Sequence, residues 1–190
     1  MARWARVVTE VMAPVVLVVV VTFVVAIHAA GSGRGLLLGV VAMFFAAGLP
    51  YAILQVGIRR GVLGDRHLTQ RHQGPVMMTI GLVSIVVGLL ALSLLDAPRA
   101  LFALVWGICA AVAVCLAVTL RWKISIHTAC AGGVVAALAV LVNPWLLVVA
   151  PLVVLVAWSR VVLGDHTTRQ VVVGAAVGFG VAALVTLALS

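Results

Sequence analysis

Residues 11–30 read VMAPVVLVVVVTFVVAIHAA, twenty residues without a lysine, arginine, aspartate or glutamate. A run of about twenty apolar residues is long enough to cross the roughly 30 Å hydrocarbon core of a bilayer as an α-helix. Comparable runs recur at 36–58, 76–95, 100–120 and 171–189, and two shorter ones at 128–142 and 145–158. The pattern predicts an all-α, polytopic transmembrane helix bundle of six to seven helices, two of them short.

The composition supports the same class. The chain is 66% hydrophobic and 8% charged, whereas soluble domains are about 45–50% apolar and about 25% charged. Strand-like alternation of apolar and polar residues is missing, which argues against a transmembrane barrel. Arg3 and Arg6 precede the first apolar run as in a signal peptide, but that run is longer than the roughly 7–15 residues of a signal peptide core. We therefore expect a retained first helix and a single integral membrane domain over residues 1–190.

The basic residues are distributed unequally between the two ends of the predicted bundle. Followed from segment to segment, the chain places only Arg34 and Arg99 at one end. The other ten of its twelve lysines and arginines fall at the opposite end: Arg3, Arg6, Arg59, Arg60, Arg66, Arg71, Arg121, Lys123, Arg160 and Arg169. Positive residues near spans favour the cytoplasmic side, so we expect the N-terminus and this basic end in the cytoplasm, with the C-terminus outside a bacterial plasma membrane. Only Trp4 and Trp122 stand between closely spaced basic residues, which is too few for a row of stacking platforms, so a nucleic-acid partner is not expected.

Four of the five histidines lie at the basic end, in three short polar loops at 59–75, 121–127 and 159–169. They are His67, His72, His127 and His166. Ionisable groups at or inside a membrane are costly and are candidates for function. The sequence therefore predicts that three loops converge on one membrane face to form a site.

The third loop, SRVVLGDHTTRQ at 159–170, carries the richest pattern. Gln170 follows His166 by four residues, so on a helix both side chains lie on one face. The amide oxygen of Gln170 can accept the Nδ1–H of His166, which leaves Nε2 as a nucleophile. Arg160 offers a planar fork of donors suited to phosphate oxygens. The alternative is that Arg160, Asp165 and Arg169 are only interfacial caps.

The second loop, RWKISIHTA at 121–129, offers complementary groups. Lys123 can hold a phosphate as a point charge, the Ser125 hydroxyl can donate to it, and His127 can protonate a leaving oxygen. A lysine that snorkels beside an interfacial Trp122 explains Lys123 but not His127. The first loop, GIRRGVLGDRHLTQRHQGP at 57–75, is densely basic, and Arg59 and Arg60 are interpreted as an orientation signal.

Together the loops resemble the type-2 phosphatidic acid phosphatases of the lipid phosphatase and vanadium haloperoxidase superfamily, whose signature is K-x6-R-P, S-G-H and S-R-x5-H-x3-D. The third motif matches at Ser159-Arg160 and His166, with Gln170 where the family has aspartate. The second matches at Ser125 and His127, with Ile126 in place of glycine. The first matches only at Pro75, since Gly74 and His67 stand at its arginine and lysine positions. The resemblance covers about residues 59 to 180.

The resemblance implies a metal-independent phosphoric ester hydrolase without a cofactor, acting on a lipid or isoprenoid phosphate in the bilayer. It implies that His166 attacks phosphorus, that His127 protonates the leaving alkoxide, and that Gln170 takes the place of the orienting aspartate. The phosphate-binding side chains it implies are Arg160, Lys123, Ser125, Arg71, Arg66 and His67. Neither the lipid, the number of phosphates nor the oligomeric state follows from the sequence.

Two other functions remain open at this stage. One is a non-catalytic relative that binds or moves a lipid, which the departures at Gly74, Ile126 and Gln170 favour. The other is a metal-dependent membrane enzyme whose ligands come from Asp65, His67, His72, His127, Asp165 and His166.

The chain between the second and third loops must return to the same membrane face if the two loops are to meet. Residues 128–142 would form a helix of only about 22 Å at about 1.5 Å per residue. Asn143-Pro144 is a favourable N-cap and first helical position. We expect a short hairpin that returns the chain to the same face, because a single span over 128–158 would separate the second and third loops.

Overall fold

A computed structural model describes residues 1–62 and 73–190, with only the backbone of Gln73. The described residues form nine α-helices and contain no strand. They are α1 (Ala2–Val11), α2 (Pro14–Ala30), α3 (Ser32–Met43), α4 (Leu49–Arg59), α5 (Gln73–Leu94), α6 (Arg99–Thr119), α7 (Ile126–Leu141), α8 (Pro151–Val162) and α9 (Thr168–Leu189). A π-helical turn, Phe44–Gly48, joins α3 to α4, and a 3₁₀ helix, Pro144–Val149, precedes α8.

Six helical stretches in the described part of the chain are long and apolar enough to cross a membrane. They are Ala2–Ala30, Ser32–Arg59, Gly74–Leu94, Arg99–Thr119, Pro144–Val162 and Thr168–Leu189. The seventh apolar helix, Ile126–Leu141, is shorter than a span. The protein is therefore an integral membrane helix bundle, and the prediction of six to seven membrane helices is confirmed by six long apolar stretches and one shorter apolar helix among the described residues.

The N-terminal helix differs from the prediction, which began the first helix at residue 11. The structure has a separate helix α1 before it, and the chain bends at Met12-Ala13. Ala13 is extended because a residue before proline avoids the helical region. Ala5 and Thr9 are buried on the face of α1 that packs against α8. Helix α1 was not predicted, because its charged residues were interpreted as a polar flank.

The main core lies where α2, α3, α5, α6 and α7 meet. Each of these helices contributes fully or almost fully buried apolar side chains, including Val25, Leu38, Leu92, Leu101 and Ala137. Burying such side chains removes apolar surface from water or lipid and fills the space between helices at high packing density. This core is separate from the basic end, so it provides a rigid support for the loops.

Helices α7 and α9 approach each other through glycines. A Cβ on Gly178 would collide with the carbonyl of Ala129, and one on Gly174 would lie 2.6 Å from the carbonyl oxygen of Ser125. Small residues allow the backbones of membrane helices to come this close. The contact fixes the beginning of α7 relative to the beginning of α9, and these are the helices that follow the second and third loops.

The connection from α7 to α8 is the expected short hairpin. Asn143 is an N-cap whose side chain oxygen accepts a hydrogen bond from the Trp145 backbone N–H at 2.9 Å, and Pro144 occupies the first helical position. Both features were predicted from the sequence. The chain then returns along α8 to the level of the second loop, where Lys123 contacts Asp165 at 3.0 Å.

Candidate active site

The third loop is a tight turn between α8 and α9. Gly164 has φ +72°, a left-handed conformation that glycine adopts without strain. The backbone N–H groups of Asp165 and His166 both donate to the carbonyl oxygen of Arg160, at 3.1 and 3.3 Å. These two bonds hold Asp165 and His166 against the end of α8, so the three side chains share one small region.

His166 is held by Gln170 as the spacing predicted. The Gln170 oxygen Oε1 lies 3.3 Å from His166 Nδ1 and also accepts the Thr167 backbone N–H at 3.0 Å. An atom that receives a backbone N–H is the oxygen of the amide, and an oxygen of this kind can only accept. We therefore assign the imidazole proton to Nδ1, which leaves the lone pair on Nε2.

The same glutamine belongs to a helix cap that the sequence analysis did not identify. Thr167 is the N-cap of α9, and its hydroxyl accepts the backbone N–H of Gln170 at 3.4 Å, while the Gln170 side chain bonds back to Thr167. This is a capping box, whose signal is Thr-x-x-Gln before an apolar run. Gln170 consequently serves both the helix end and His166.

Arg160 is buried, with 4% of its surface exposed. Its Nη1 forms an ion pair with Asp165 Oδ2 at 3.1 Å, and Glu10 adds a favourable electrostatic interaction from α1. The ion pair lacks hydrogen-bond geometry, so Nε and Nη1 have no hydrogen-bond partner among the described residues. A buried arginine with donors to spare has capacity for further oxygen ligands.

Ser159, which precedes Arg160, is directed towards α1. It is fully buried. Its hydroxyl donates to the carbonyl oxygen of Val156 at 2.8 Å and accepts from the Thr9 hydroxyl at 3.1 Å. Ser159 thus fixes the end of α8 to the N-terminal helix. The sequence analysis gave no partner for this serine.

The second loop lies against the third. Lys123 Nζ donates to the Asp165 backbone oxygen at 3.0 Å, and the Ser125 backbone N–H donates to the Gln170 carbonyl at 3.4 Å. Ser125 is fully buried, and its hydroxyl has no hydrogen-bond partner among residues 1–62 and 73–190. Ser125 is also the N-cap residue of α7, and the half-buried His127 is the second residue of that helix.

The electrostatic environment keeps His166 neutral. Its pKa is lowered to about 4 by burial first and then by the positive charges of Lys123 and Arg160. The hydrogen bond that His166 Nδ1 donates to Gln170 and the charge of Asp165 oppose this shift without reversing it. A neutral imidazole with a free Nε2 is the form required of a nucleophile.

The structure thus brings together one part of the predicted residue set. Contacts connect Arg160, His166, Gln170, Lys123 and Ser125. The predicted phosphate ligands Arg66, His67 and Arg71 lie outside the described residues, as do Asp65 and His72. Within the described ranges, no three histidine, cysteine, aspartate or glutamate residues are grouped so that they could hold a metal ion.

Comparison of the chain with family models, with curated proteins and with solved structures gave no match. The resemblance to the type-2 phosphatidic acid phosphatases therefore rests on the sequence motifs alone.

Proposed function

We propose that the protein is an integral membrane phosphatase that hydrolyses a lipid or polyprenyl phosphate through a phosphohistidine intermediate. The observation that carries the proposal is His166, a neutral imidazole whose Nδ1 faces the Gln170 oxygen at 3.3 Å beside the basic groups Lys123 and Arg160. A nucleophile with a fixed tautomer next to two cations suits attack on a phosphate anion.

In the proposed reaction, Nε2 of His166 attacks phosphorus and the bond to the leaving alkoxide oxygen breaks. His127 gives a proton to that oxygen, and the lipid alcohol leaves. Water then attacks phosphorus and gives a proton to His127, the bond between phosphorus and Nε2 breaks, and inorganic phosphate leaves with His166 restored to the neutral form. Arg160 and Lys123 balance the charge of the phosphoryl oxygens, which is the main requirement in phosphoryl transfer.

A groove next to the two loops supports a lipid substrate. It has a volume of about 350 Å³ and is lined by Trp122, Thr168, Arg169, Val172 and Val173. Trp122 adjoins Lys123, and Thr168 lies two residues after His166. A shallow groove of this kind, formed by residues next to the two loops in the chain, can contact part of an acyl or isoprenoid chain. Monophosphates and diphosphates both fit this description.

One observation favours a non-catalytic lipid-binding protein as the second candidate. The chain has Gln170 where the resembling family has aspartate, and the capping box already uses this side chain. A neutral amide orients an imidazole but does not stabilise its cationic form.

Phosphate release separates the two functions. The purified full chain in detergent is incubated with phosphatidic acid, phosphatidylglycerol phosphate and polyprenyl mono- and diphosphates, and released phosphate is measured. We expect release from at least one substrate, and none from the His166→Ala variant. His28→Ala is the matched control, because His28 is an exposed histidine in the last turn of α2, far along the chain from both loops. Binding of lipid phosphate without any release by the wild-type protein would favour the second candidate.

We also propose that this site and the N-terminus face the cytoplasm. A phosphate site is basic on whichever side of the membrane it lies, so its own charges do not indicate the orientation. Without those charges, four basic residues remain at the end of the bundle that carries the site and two at the opposite end. The four are Arg3, Arg6, Arg59 and Arg60, and the two are Arg34 and Arg99. The bias towards the cytoplasmic side persists without the site residues.

Single-cysteine labelling in intact cells tests this orientation. Cys109, Cys115 and Cys130 are replaced, and one cysteine is introduced at the exposed Val62 or at Ser190. An impermeant thiol reagent is expected to modify the cysteine at 190 only. Modification at 62 and not at 190 would place the site on the outer face.

A further inference from the structure

Asp165 contacts both basic side chains that the proposed function assigns to phosphate. Its carboxylate oxygen Oδ2 lies 3.1 Å from Arg160 Nη1, and its backbone oxygen accepts from Lys123 Nζ at 3.0 Å. The resemblance assigns no role to this residue. The chain has only four acidic residues, so an acid at this position is notable in itself.

The backbone and the side chain of Asp165 are held differently. Its backbone N–H bonds to the Arg160 carbonyl at 3.1 Å, next to the left-handed Gly164. Its side chain, in contrast, is 39% exposed, while that of Arg160 is 5% exposed. The carboxylate can therefore turn away from Arg160 by rotation about side-chain bonds while the loop keeps its hydrogen bonds.

Arg160 needs an anionic partner because a buried charge without one is strongly unfavourable. A phosphate group offers several oxygens and up to two negative charges, and it matches the guanidinium fork better than a single carboxylate oxygen does. Nε and Nη1 of Arg160 have no hydrogen-bond partner among the described residues, and they can give such a ligand additional hydrogen bonds.

We propose that Asp165 is an internal counterion that neutralises Arg160 in the resting protein and is displaced when a phosphate group binds. This inference rests on the proposed function, since it takes Arg160 and Lys123 as phosphate ligands. Asp165 is then a positioning residue: it keeps the guanidinium in place for the substrate and sets the affinity for phosphate by competing with it.

The competition has a measurable consequence. When only a fraction of the protein is in the binding-competent state, the apparent dissociation constant rises by the inverse of that fraction. Asp165→Asn keeps the side-chain shape and removes the charge. If the ion pair is formed about nine-tenths of the time, this variant binds phosphate about tenfold more tightly. Asp165→Asn also lacks the ion-pair partner of the buried Arg160, so its melting temperature falls. Added phosphate raises the melting temperature again.

The test uses the full chain in detergent and inorganic phosphate as the probe. Dissociation constants come from isothermal titration calorimetry, and melting temperatures are recorded with and without phosphate. The variants are Asp165→Asn, Arg160→Ala and the double variant, because a thermodynamic cycle isolates the coupling between the two residues. Asp96→Asn is the control, since Asp96 is an exposed acid outside the site.

We expect Asp165→Asn to bind phosphate about tenfold more tightly and to gain more melting temperature from phosphate than the wild type does. We expect this gain to vanish when Arg160 is alanine. Equal affinity in the wild type and Asp165→Asn, or weaker binding by the variant, overturns the counterion role and leaves the phosphatase proposal intact. Absence of phosphate binding by both proteins overturns both.

Discussion

Two arginines at opposite ends of the bundle serve different purposes. Arg34 is exposed at the start of α3, and its Nη2 donates to the carbonyl oxygens of Leu95 and Asp96 at 3.1 and 2.8 Å. It closes the end of α5 and keeps its charge in solvent. Arg160 at the end of α8 is buried, is paired with Asp165, and has donors without a hydrogen-bond partner among the described residues.

The difference shows which basic residues require a functional explanation. An exposed arginine that bonds to helix carbonyls is a favourable cap and costs little. Removing an arginine from water costs several kcal/mol unless partners compensate. Arg34 is thus an exposed cap, whereas Arg160 is buried at the end of α8. This contrast favours a binding site at the end of the bundle that carries Arg160.

The largest expected effect is on the proposed nucleophile. His166→Ala is expected to lower turnover by about 10⁴-fold or more, because a covalent mechanism has no substitute for its nucleophile. His127→Ala is expected to cost about 10²–10⁴-fold, as for a general acid. Phosphate release by purified variants measures both, and His28→Ala at the other end is the control. Substantial activity in the His166 variant would exclude the phosphohistidine.

The arginine comparison itself is tested by one conservative change at each end. Arg160→Lys is expected to lower turnover by about 10²-fold, because lysine keeps the charge but not the planar fork. Arg34→Lys is expected to leave turnover unchanged and to lower the melting temperature slightly. Equal effects of the two substitutions on turnover would mean that Arg160 is a cap like Arg34.

The two roles of Gln170 can be separated with Thr167. Gln170→Ala removes both the cap and the contact with His166, and we expect turnover to fall about tenfold with little change in KM. Thr167→Ala removes the hydroxyl of the cap and leaves the Gln170 oxygen near Nδ1, so we expect a stability loss of about 1 kcal/mol with turnover within about twofold.

If Gln170→Ala and Thr167→Ala lose stability and turnover to the same extent, Gln170 serves only the helix cap. Gln170→Asp restores the acid of the resembling family, and its turnover is expected to equal or exceed that of the wild type.

Removing the hydrogen bond that attaches α1 to α8 is expected to have a smaller effect on turnover. Thr9→Val removes the hydroxyl that bonds to Ser159 and keeps the side-chain shape, and we expect turnover to fall about threefold with a loss of about 1 kcal/mol of stability. The control is Thr22→Val on α2, where a buried hydroxyl has no hydrogen-bond partner within the described residues. That change is expected to be neutral or stabilising. A neutral Thr9→Val would show that the hydrogen bond does not position α8.

The smallest expected effect is that of mild acid on the wild-type protein. Because burial, Lys123 and Arg160 lower the pKa of His166 to about 4, its neutral form persists well below the usual histidine range. The acid limb of kcat/KM is expected near pH 4, so activity at pH 5 falls only by about a tenth. A histidine with the ordinary pKa of about 6.5 would lose about 97% of its activity at pH 5. An acid limb near pH 6.5 would contradict the electrostatic account.

Local spacing made part of the site predictable. The four-residue interval between His166 and Gln170 predicted their contact, although His166 lies in the turn before the N-cap Thr167 and not on the helix. Asn143-Pro144 predicted a helix start because cap chemistry is local. The Thr167–Gln170 capping box was equally readable from Thr-x-x-Gln and was overlooked.

Other features were not predictable from spacing. The pairing of Asp165 with Arg160 depends on the left-handed turn at Gly164, which reverses the chain between them. The burial of Ser159 depends on α1, whose position is set by tertiary packing and not by any pattern near the serine. The close approach of α7 and α9 depends on which glycines face each other, and that requires the relative rotation of the two helices.

The bond between Thr9 and Ser159 joins residues 150 positions apart. During synthesis α1 emerges before α8, so its binding surface on α8 does not exist until the intervening helices have been made. Contacts of such long sequence separation form late. The residue before Arg160 therefore gains its bond to α1 only after α8 has been made, so this anchor of the candidate site forms late in assembly.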